Sequence, residues 1–323
     1  MRAAHVFEKV QVRLSKRRKG ETMTAQFDAQ YVKRPPGYRL PDATHVGRVR
    51  LAVSNLERAV AFYSEIIGLA VLEPGTDSKL ARLGAHGDRR VLLELQELPG
   101  VKPLGKRTRL GLYHTAFLLP SREALSSYVQ FLANRRVPFA SSDHAVSEAL
   151  YLTDPDGLTV EVYADRPRSH WPIRNGEIQG GVDPLRFNEL PTVAPDSWLG
   201  TPAETTVGHV HFFLNDLQRA EEFYHAGLGL DHAMWPLPSA MFLSAGGYHH
   251  HVGTNVWAAG SPIAADDDAR LLFWELALPD VEEIDMVAGS MRLAGFPETV
   301  SEAGARTFTD SCGITVSLVA ARG

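Results

Sequence analysis

The sequence predicts an α+β fold of four β-α-β-β-β modules, arranged as two tandem domains that each contribute to cup-shaped mixed sheets. The first observation is a repeat. A strand-then-helix pattern from Thr44 returns from Thr206, and both helices carry Phe-Tyr followed by Gly-Leu. The second is a strand, turn and strand signal in residues 143–165, whose turn Asp-Pro-Asp-Gly has a counterpart in residues 310–313. Internal repeats outrank local propensity as evidence for a fold.

The first module shows the pattern most clearly. A strand is predicted at Val46–Val53, and the pair Ser54-Asn55 then caps a helix that runs to Ile67. Ser and Asn are preferred caps because their side-chain oxygens accept hydrogen bonds from the first free N–H groups of a helix. Further strands are predicted at Lys79–Leu83 and Arg90–Gln96.

The second and fourth modules are weaker copies, at Leu112–Val162 and Leu272–Val319. The repeat therefore divides the chain into an arm, two domains of two modules each, and a linker rich in Pro, Gly and Trp. The predicted bounds are 1–43 for the basic, loosely ordered arm, 44–165 and 206–323 for the domains, and 166–205 for the linker. Met1 and Met23 are both open as the true start.

Composition narrows the function classes. The 323 residues are 44% hydrophobic and 22% charged, with a net charge of −5. This charge does not indicate a basic surface of the kind that binds nucleic acid or a membrane. The single cysteine excludes an internal disulfide framework, and no apolar run has the length of a membrane span. These features predict a cytoplasmic protein.

Glu161 is the first residue that suggests chemistry. It lies in the second strand of the 143–165 hairpin, on the same predicted face as Thr159 and Tyr163. If that face is covered, the carboxylate needs a cation or a hydrogen-bond donor, because an unpaired buried charge is costly. An outward-facing Glu on a half-exposed hairpin is the alternative.

The repeat and several motifs resemble the vicinal oxygen chelate superfamily, which includes glyoxalase I, fosfomycin-resistance enzymes and type I extradiol dioxygenases. The motifs are FY…GL, DPDGLTVEVY, SDHAVSEALYLTDPDG, YADRPRSHW and SAGGYHHHVG. The closest resemblance is to the two-domain bacterial catechol 2,3-dioxygenases. It covers residues 44–319 and implies a divalent metal bound by side chains from the first and last strands of the modules.

The ligand positions implied by this resemblance differ among the four modules. The first-strand position holds Arg48, His114, His209 and Phe273 in the four modules, and the last-strand position holds Glu161 in the second module and Ser317 in the fourth. Only His114, Glu161 and His209 form a metal-binding set. Two His and one carboxylate are the ligands of non-haem Fe(II) oxygenases, and Mn(II) also fits them. Because these residues lie in the second and third modules, the middle modules are predicted to share one cup and the outer modules another.

Three further residues are catalytic candidates. Tyr151 matches the Tyr that points at the substrate hydroxyl in extradiol dioxygenases, and His144 lies near the position of a supporting His in those enzymes. His250 is the acid–base candidate. We predict that Tyr248–Asn255 forms a strand whose even-numbered residues face inward. This prediction follows from aligning the first module with the third, which matches Glu94 to Thr254. His250 as a fourth metal ligand is the alternative. His225 and His232 are predicted at the surface.

The resemblance favours an Fe(II)-dependent extradiol dioxygenase that cleaves catechol or a substituted catechol with O₂. Another metal-dependent enzyme of the superfamily, such as a glyoxalase-like isomerase, is one alternative. A non-catalytic protein that binds a small aromatic molecule is the other. The expected partners are a small aromatic diol and O₂, and the chain is expected to form a homo-oligomer.

Overall fold

The computed structural model describes residues 32–73, 79–105, 108–175, 177–234, 237–301 and 303–321. The first module comprises β1 (His45–Val53), α1 (Leu56–Glu65), β2 (Ala70–Glu73), β3 (Leu80–Gly84) and β4 (Val91–Glu97). The second comprises β5 (Gly111–Leu119), α2 (Arg122–Asn134), β6 (Ala140–Asp143), β7 (Ser147–Thr153) and β8 (Thr159–Asp165). The predicted α+β class is confirmed.

A linker with two short strands, β9 (Ile173–Arg174) and β10 (Glu177–Ile178), leads to the third module. That module comprises β11 (Thr206–Phe213), α3 (Leu217–Ala220), a π-helical continuation (Glu221–Gly227), β12 (Asp231–His232), β13 (Ala240–Ser244) and β14 (Val252–Asn255). The fourth comprises β15 (Arg270–Leu278), α4 (Val281–Leu293), β16 (Thr299–Val300), β17 (Arg306–Thr309) and β18 (Thr315–Ala320).

The first helix begins where the sequence predicts, and the helix of the third module has a matching side-chain cap. Asn55 accepts a hydrogen bond from the N–H of Arg58, and Asp216 accepts one from Gln218. The turn of the second module also forms as predicted. Gly157 has a φ of +86°, and a Cβ there would lie 2.3 Å from the carbonyl oxygen of Leu104, so this turn requires glycine.

Apart from the β9–β10 pair, the strands of the described residues form two eight-stranded sheets, and each combines modules from both halves of the chain. The inner sheet has the order β12-β13-β14-β11-β5-β8-β7-β6, and the outer sheet has the order β16-β17-β18-β15-β1-β4-β3-β2. Antiparallel pairing of β11 with β5 joins the middle modules. The prediction that the middle modules share one cup is therefore confirmed.

Two predicted segments differ from the structure. Only Val252–Asn255 of the predicted Tyr248–Asn255 strand pairs in the sheet, because Gly246 and Gly247 adopt φ values of +61° and +64° and turn the chain. The predicted arm is packed from residue 32 onward, with Leu40 buried and its N–H bonded to the carbonyl of Gly229. Residues 1–31, including Met1 and Met23, lie outside the described residues.

The linker is more than a surface connection, because Trp171 is buried with its ring 5.4 Å from that of His249. No helix in the described part of the chain is long and apolar enough to cross a membrane.

Candidate metal centre

Three side chains from three neighbouring strands of the inner sheet converge in its concave face. His114 lies on β5, Glu161 on the parallel neighbour β8, and His209 on the antiparallel neighbour β11. All three are at most 3% exposed. The alternation predicted for β8 holds, since Glu161 and Tyr163 both lie against His209.

The three potential ligand atoms are nearly equidistant. Glu161 Oε2 lies 3.0 Å from Nε2 of His114 and 3.2 Å from Nε2 of His209, and the two Nε2 atoms are 3.2 Å apart. Ligand atoms about 2.1 Å from one ion and at right angles to each other lie about 3.0 Å apart. These separations would therefore suit three ligands of one metal ion, and two His with one carboxylate would leave the ion free to bind further groups.

The protonation states suit a cation. Burial opposes ionisation of Glu161, but the neighbouring His209 and His114 outweigh it and hold the pKa of this carboxyl well below its ordinary value. Burial also lowers the pKa of His114, which favours the neutral imidazole. An ionised carboxylate and neutral imidazoles are the forms that bind metal.

Aromatic packing holds the two ligand rings in place. Tyr113 and Tyr151 place their rings 4.6 Å and 5.6 Å from that of His114, and the ring of Tyr163 lies 4.9 Å from that of His209. The Nδ1 atoms of His114 and His209 are buried and have no hydrogen-bond partner among the described residues. Packing, rather than a hydrogen bond to Nδ1, therefore orients these rings.

Tyr151 and His144 form a hydrogen-bonded pair at the edge of the centre. His144 Nδ1 lies 2.7 Å from the carbonyl oxygen of Gly181, which can only accept, so Nδ1 carries the proton. His144 Nε2 is then the acceptor for the Tyr151 hydroxyl, 2.7 Å away. Burial and the charge of Glu161 raise the pKa of Tyr151 well above its ordinary value, so the phenol keeps its proton.

His250 lies on the other side of the centre, with its ring 4.1 Å from that of His209. Its Nδ1 is 2.8 Å from Nδ1 of His249, and His249 Nε2 is 2.8 Å from Oδ1 of Asp165. Because a carboxylate only accepts, His249 donates from Nε2 and accepts at Nδ1. His250 therefore donates from Nδ1 and keeps a lone pair on Nε2. We call this the Asp165–His249–His250 chain.

His250 points toward the centre for a different structural reason from the one predicted. His211 pairs with Gly253 and Arg50 pairs with Glu94, so Gly253 rather than Thr254 is the counterpart of Glu94. The odd-numbered residues of β14 face the cup, and the predicted even-numbered face is wrong. His250 reaches His209 because it lies in the loop before β14.

A cavity of about 630 Å³ adjoins the centre. Tyr113 and Tyr151 line it, and their rings also pack against that of His114. Much of the remaining wall is apolar or aromatic, and its residues include Leu104, Leu112, Phe139, Ala140, Leu158 and Phe213. This volume falls within the range of small-molecule sites.

Comparison with known proteins decides the family. A family model described as the Glyoxalase/Bleomycin resistance protein/Dioxygenase superfamily matches residues 45–162. The chain is 41% identical over 257 residues to a protein named catechol-2,3-dioxygenase from Bacillus subtilis (strain 168), a match that covers 78% of this chain and 89% of that protein. The chain belongs to this superfamily. The resemblance predicted from the sequence is confirmed, and the chain is an enzyme homologous to a catechol-2,3-dioxygenase.

Two solved structures share the fold of this superfamily member at low sequence identity. A candidate dioxygenase from Bacillus subtilis subsp. subtilis str. 168 aligns with a TM-score of 0.61 and 13% identity, covering 88% of this chain and 86% of its own. Glyoxalase I from Zea mays aligns with a TM-score of 0.52 and 15% identity, covering 86% of this chain and 92% of its own.

In the outer cup of this superfamily member, a cluster of ion pairs occupies the place that corresponds to the metal centre of the inner cup. Arg48, the counterpart of a ligand histidine, lies 3.1 Å from buried Glu94, which also contacts Arg50 and Arg82 at 2.6 and 3.0 Å. Burial opposes ionisation of Glu94, but these guanidinium groups keep its pKa below the ordinary value. Arginine charges thus balance the carboxylate where a cation would otherwise do so.

Sequence reasoning missed three residues near the inner centre. A register shift between His211 and Phe212 leaves Tyr113 as an extra residue in β5 and turns its ring toward His114. Asp165 and His249 were missed because their roles depend on hydrogen bonds between β8 and the loop before β14. The SAGGYHHHVG motif did signal that this loop was unusual.

Proposed function

We propose that this chain is an Fe(II)-dependent extradiol dioxygenase that cleaves the aromatic ring of catechol or a substituted catechol with O₂. The observation that carries the proposal is the convergence of His114 Nε2, His209 Nε2 and Glu161 Oε2 with separations of 3.0–3.2 Å. Two His and one carboxylate are the ligand set of non-haem Fe(II) oxygenases. The catechol-2,3-dioxygenase name of the 41% identical relative supports the same reaction.

These three residues would hold Fe(II), or Mn(II), through one face of its coordination sphere. When bound, the metal would supply open positions at which a diol and O₂ meet, and it would polarise the oxygen.

His250 would act as the general base. Burial lowers the pKa of His250 well below its ordinary value, so its imidazole is neutral. The Asp165–His249–His250 chain leaves the lone pair on Nε2 of His250. A neutral imidazole with a free lone pair can remove a proton from a catechol hydroxyl and later return it.

Tyr151 would orient the substrate from the opposite side. Its hydroxyl donates to His144, so its oxygen can still accept a hydrogen bond from a substrate hydroxyl. The linker carbonyl of Gly181 fixes the tautomer of His144 and thereby the direction of the Tyr151 hydrogen. The adjoining cavity would hold the substituents of a ring larger than catechol itself.

The proposal is tested by metal analysis and oxygen uptake on protein purified without oxygen. Wild-type protein should contain about one Fe(II) per chain and consume O₂ with catechol, forming a yellow product. His114→Ala, Glu161→Ala and His209→Ala should each lose the metal and the activity while remaining folded. Full occupancy in any of the three variants would refute the site.

Ser317→Ala is the matched control, because Ser317 holds the last-strand ligand position in the outer cup. Arg48→Ala is less suitable, since it removes one of the charges that balance buried Glu94. If His250→Ala strips the metal, His250 is a fourth ligand and a glyoxalase-like isomerase becomes the better function. Protein that binds catechol but never metal would be a non-catalytic binding protein.

A further inference from the structure

A second His and carboxylate cluster lies at the π-helical end of the third module. Glu221 and His225 lie four residues apart in the Glu221–Gly227 segment, and His232 lies on β12. Each residue offers a ligand atom, and the three atoms lie within 4.8 Å of one another. The sequence predicted His225 and His232 at the surface, but His225 is 3% exposed and His232 is largely covered.

The hydrogen bonding of His225 leaves one ring nitrogen free to act as a ligand. Its Nδ1 lies 2.7 Å from the carbonyl oxygen of Leu230, so Nδ1 donates and Nε2 keeps the lone pair. Metal-binding histidines usually donate their other ring N–H to a carbonyl or carboxylate in this way. The rings of His225 and His232 pack edge to face, with centroids 4.3 Å apart and an interplanar angle of 72°.

One ring nitrogen of His232 is buried and has only a long contact. Its Nε2 is solvent-inaccessible, has no well-formed hydrogen bond among the described residues, and lies 3.5 Å from Glu221 Oε1. Burial, followed by the adjacent His225, lowers the pKa of His232 to about 4, and burial also lowers the pKa of His225. Both rings are therefore neutral near pH 7, which is the form that binds metal.

The neighbouring charges are consistent with a cation at this place. Asp231 is occupied by Arg39, with separations of 2.7–3.1 Å, so it does not compete for a ligand position. The Nζ of Lys33 lies 3.4 Å from Glu221 Oε1, and its side chain is 69% exposed. An exposed ammonium group contributes little through such a contact and can be displaced.

We propose that Glu221, His225 and His232 form a second metal site, which takes a borderline divalent transition ion such as Zn²⁺. Two imidazoles and one carboxylate are ligands that Zn²⁺ accepts at about 2.0–2.2 Å. Small side-chain rotations would bring the three atoms together and move Lys33 away. His232 exchanges backbone hydrogen bonds with Lys33, so the bound ion would tie the N-terminal segment and β12 to the helix. The second site does not rest on the proposed dioxygenase function.

The test compares two variants in metal-free, full-length protein that carries His209→Ala, which removes the triad. Zn²⁺ is titrated by calorimetry, and Co²⁺ absorption reports on the ligand geometry. His209→Ala protein should still bind one Zn²⁺ and gain thermal stability from it. Adding Glu221→Gln, a change at a partly exposed position, should abolish both effects.

Glu222→Gln is the matched control, because this neighbouring carboxylate pairs with Arg219 instead. It should leave Zn²⁺ binding unchanged, whereas Lys33→Met should tighten binding by about two- to fivefold. The inference is overturned if Glu221→Gln binds Zn²⁺ as well as Glu222→Gln does, or if His209→Ala protein binds none. Oxygen uptake by Glu221→Gln in an otherwise wild-type chain should be normal, so failure of this site and failure of the dioxygenase proposal are distinguishable.

Discussion

Asp165 should control the catalytic rate without touching the metal ligands. Its Oδ1 accepts from His249, and this contact sets the tautomer of His250 through a second hydrogen bond, each 2.8 Å long. Asp165→Asn preserves an acceptor oxygen but removes the charge. Hydrogen bonds to charged groups contribute about 1.5–3 kcal/mol and neutral ones about 0.5–1.5 kcal/mol. The difference of about 1–1.5 kcal/mol predicts a rate loss of about tenfold.

Asp165→Ala removes the acceptor altogether, so His249 is free to reverse its tautomer and His250 can lose its free lone pair. The expected loss is then about ten- to a hundredfold. The assay is kcat and kcat/KM for catechol-dependent oxygen uptake, measured together with iron content. Iron occupancy should equal that of wild type in both variants, because Asp165 is not a ligand.

A double-mutant cycle separates this role from a general structural one. If Asp165 acts only through His250, then Asp165→Asn should have almost no further effect in a His250→Ala background. His251→Asn is the control from the same loop, because His251 Nδ1 contacts the N–H of Ala245 rather than the chain of hydrogen bonds. Multiplicative losses in the double variant, or an unaltered rate in Asp165→Asn, would refute the reasoning.

Three other predictions follow. Tyr151→Phe should keep the metal but lower kcat about ten- to a hundredfold, because one hydrogen bond to the reacting diol is lost; unchanged kcat would contradict this role. Ala140→Trp should fill the cavity beside Tyr151, the strand partner of Ala140, and reduce kcat/KM for alkyl-substituted catechols at least about tenfold. The kcat/KM for catechol itself should change little, and the exposed control variant Ala133→Trp should change neither value. Equal losses for both substrates in Ala140→Trp would contradict this role of the cavity. Burial lowers the pKa of His251 from an ordinary value of about 6.5 to about 3. The contribution of this group to stability is therefore complete above about pH 6.5 and is lost as the pH falls toward 3. From pH 7 to pH 5 this group should remove about 2 kcal/mol from the free energy of unfolding, and urea titrations of His251→Asn should show a correspondingly smaller drop.

The repeat pattern predicted the module order, and the ligand positions implied by the family resemblance predicted the pairing of the middle modules. The reason is physical: His114, Glu161 and His209 have chemistry that makes sense only if their strands are neighbours. Tyr151 and His144 were predicted from their match to positions in extradiol dioxygenases. The structure places them 2.7 Å apart.

Local irregularities were harder to predict. The extra residue at Tyr113 and the paired glycines before Tyr248 both break the two-residue period on which facing predictions depend. His225 and His232 were predicted at the surface because the sequence pattern of a helix does not show that a neighbouring strand covers the end of that helix. Each of these errors arises where tertiary contacts override the local period.

The interleaved sheets have a consequence for how this chain folds during synthesis. His114 and His209 meet across 95 residues, and β1 pairs with β15, which is made only near the end of translation. The first half of the chain alone would leave the long edges of β1 and β5 without partners, and such edges promote aggregation. Cooperative folding must therefore wait for β11 and β15, and a nascent chain depends on a slow, non-local closure step. Two chains that each supplied the missing half to the other would complete the same sheets, so strand exchange between copies is the natural misfolding route of this architecture.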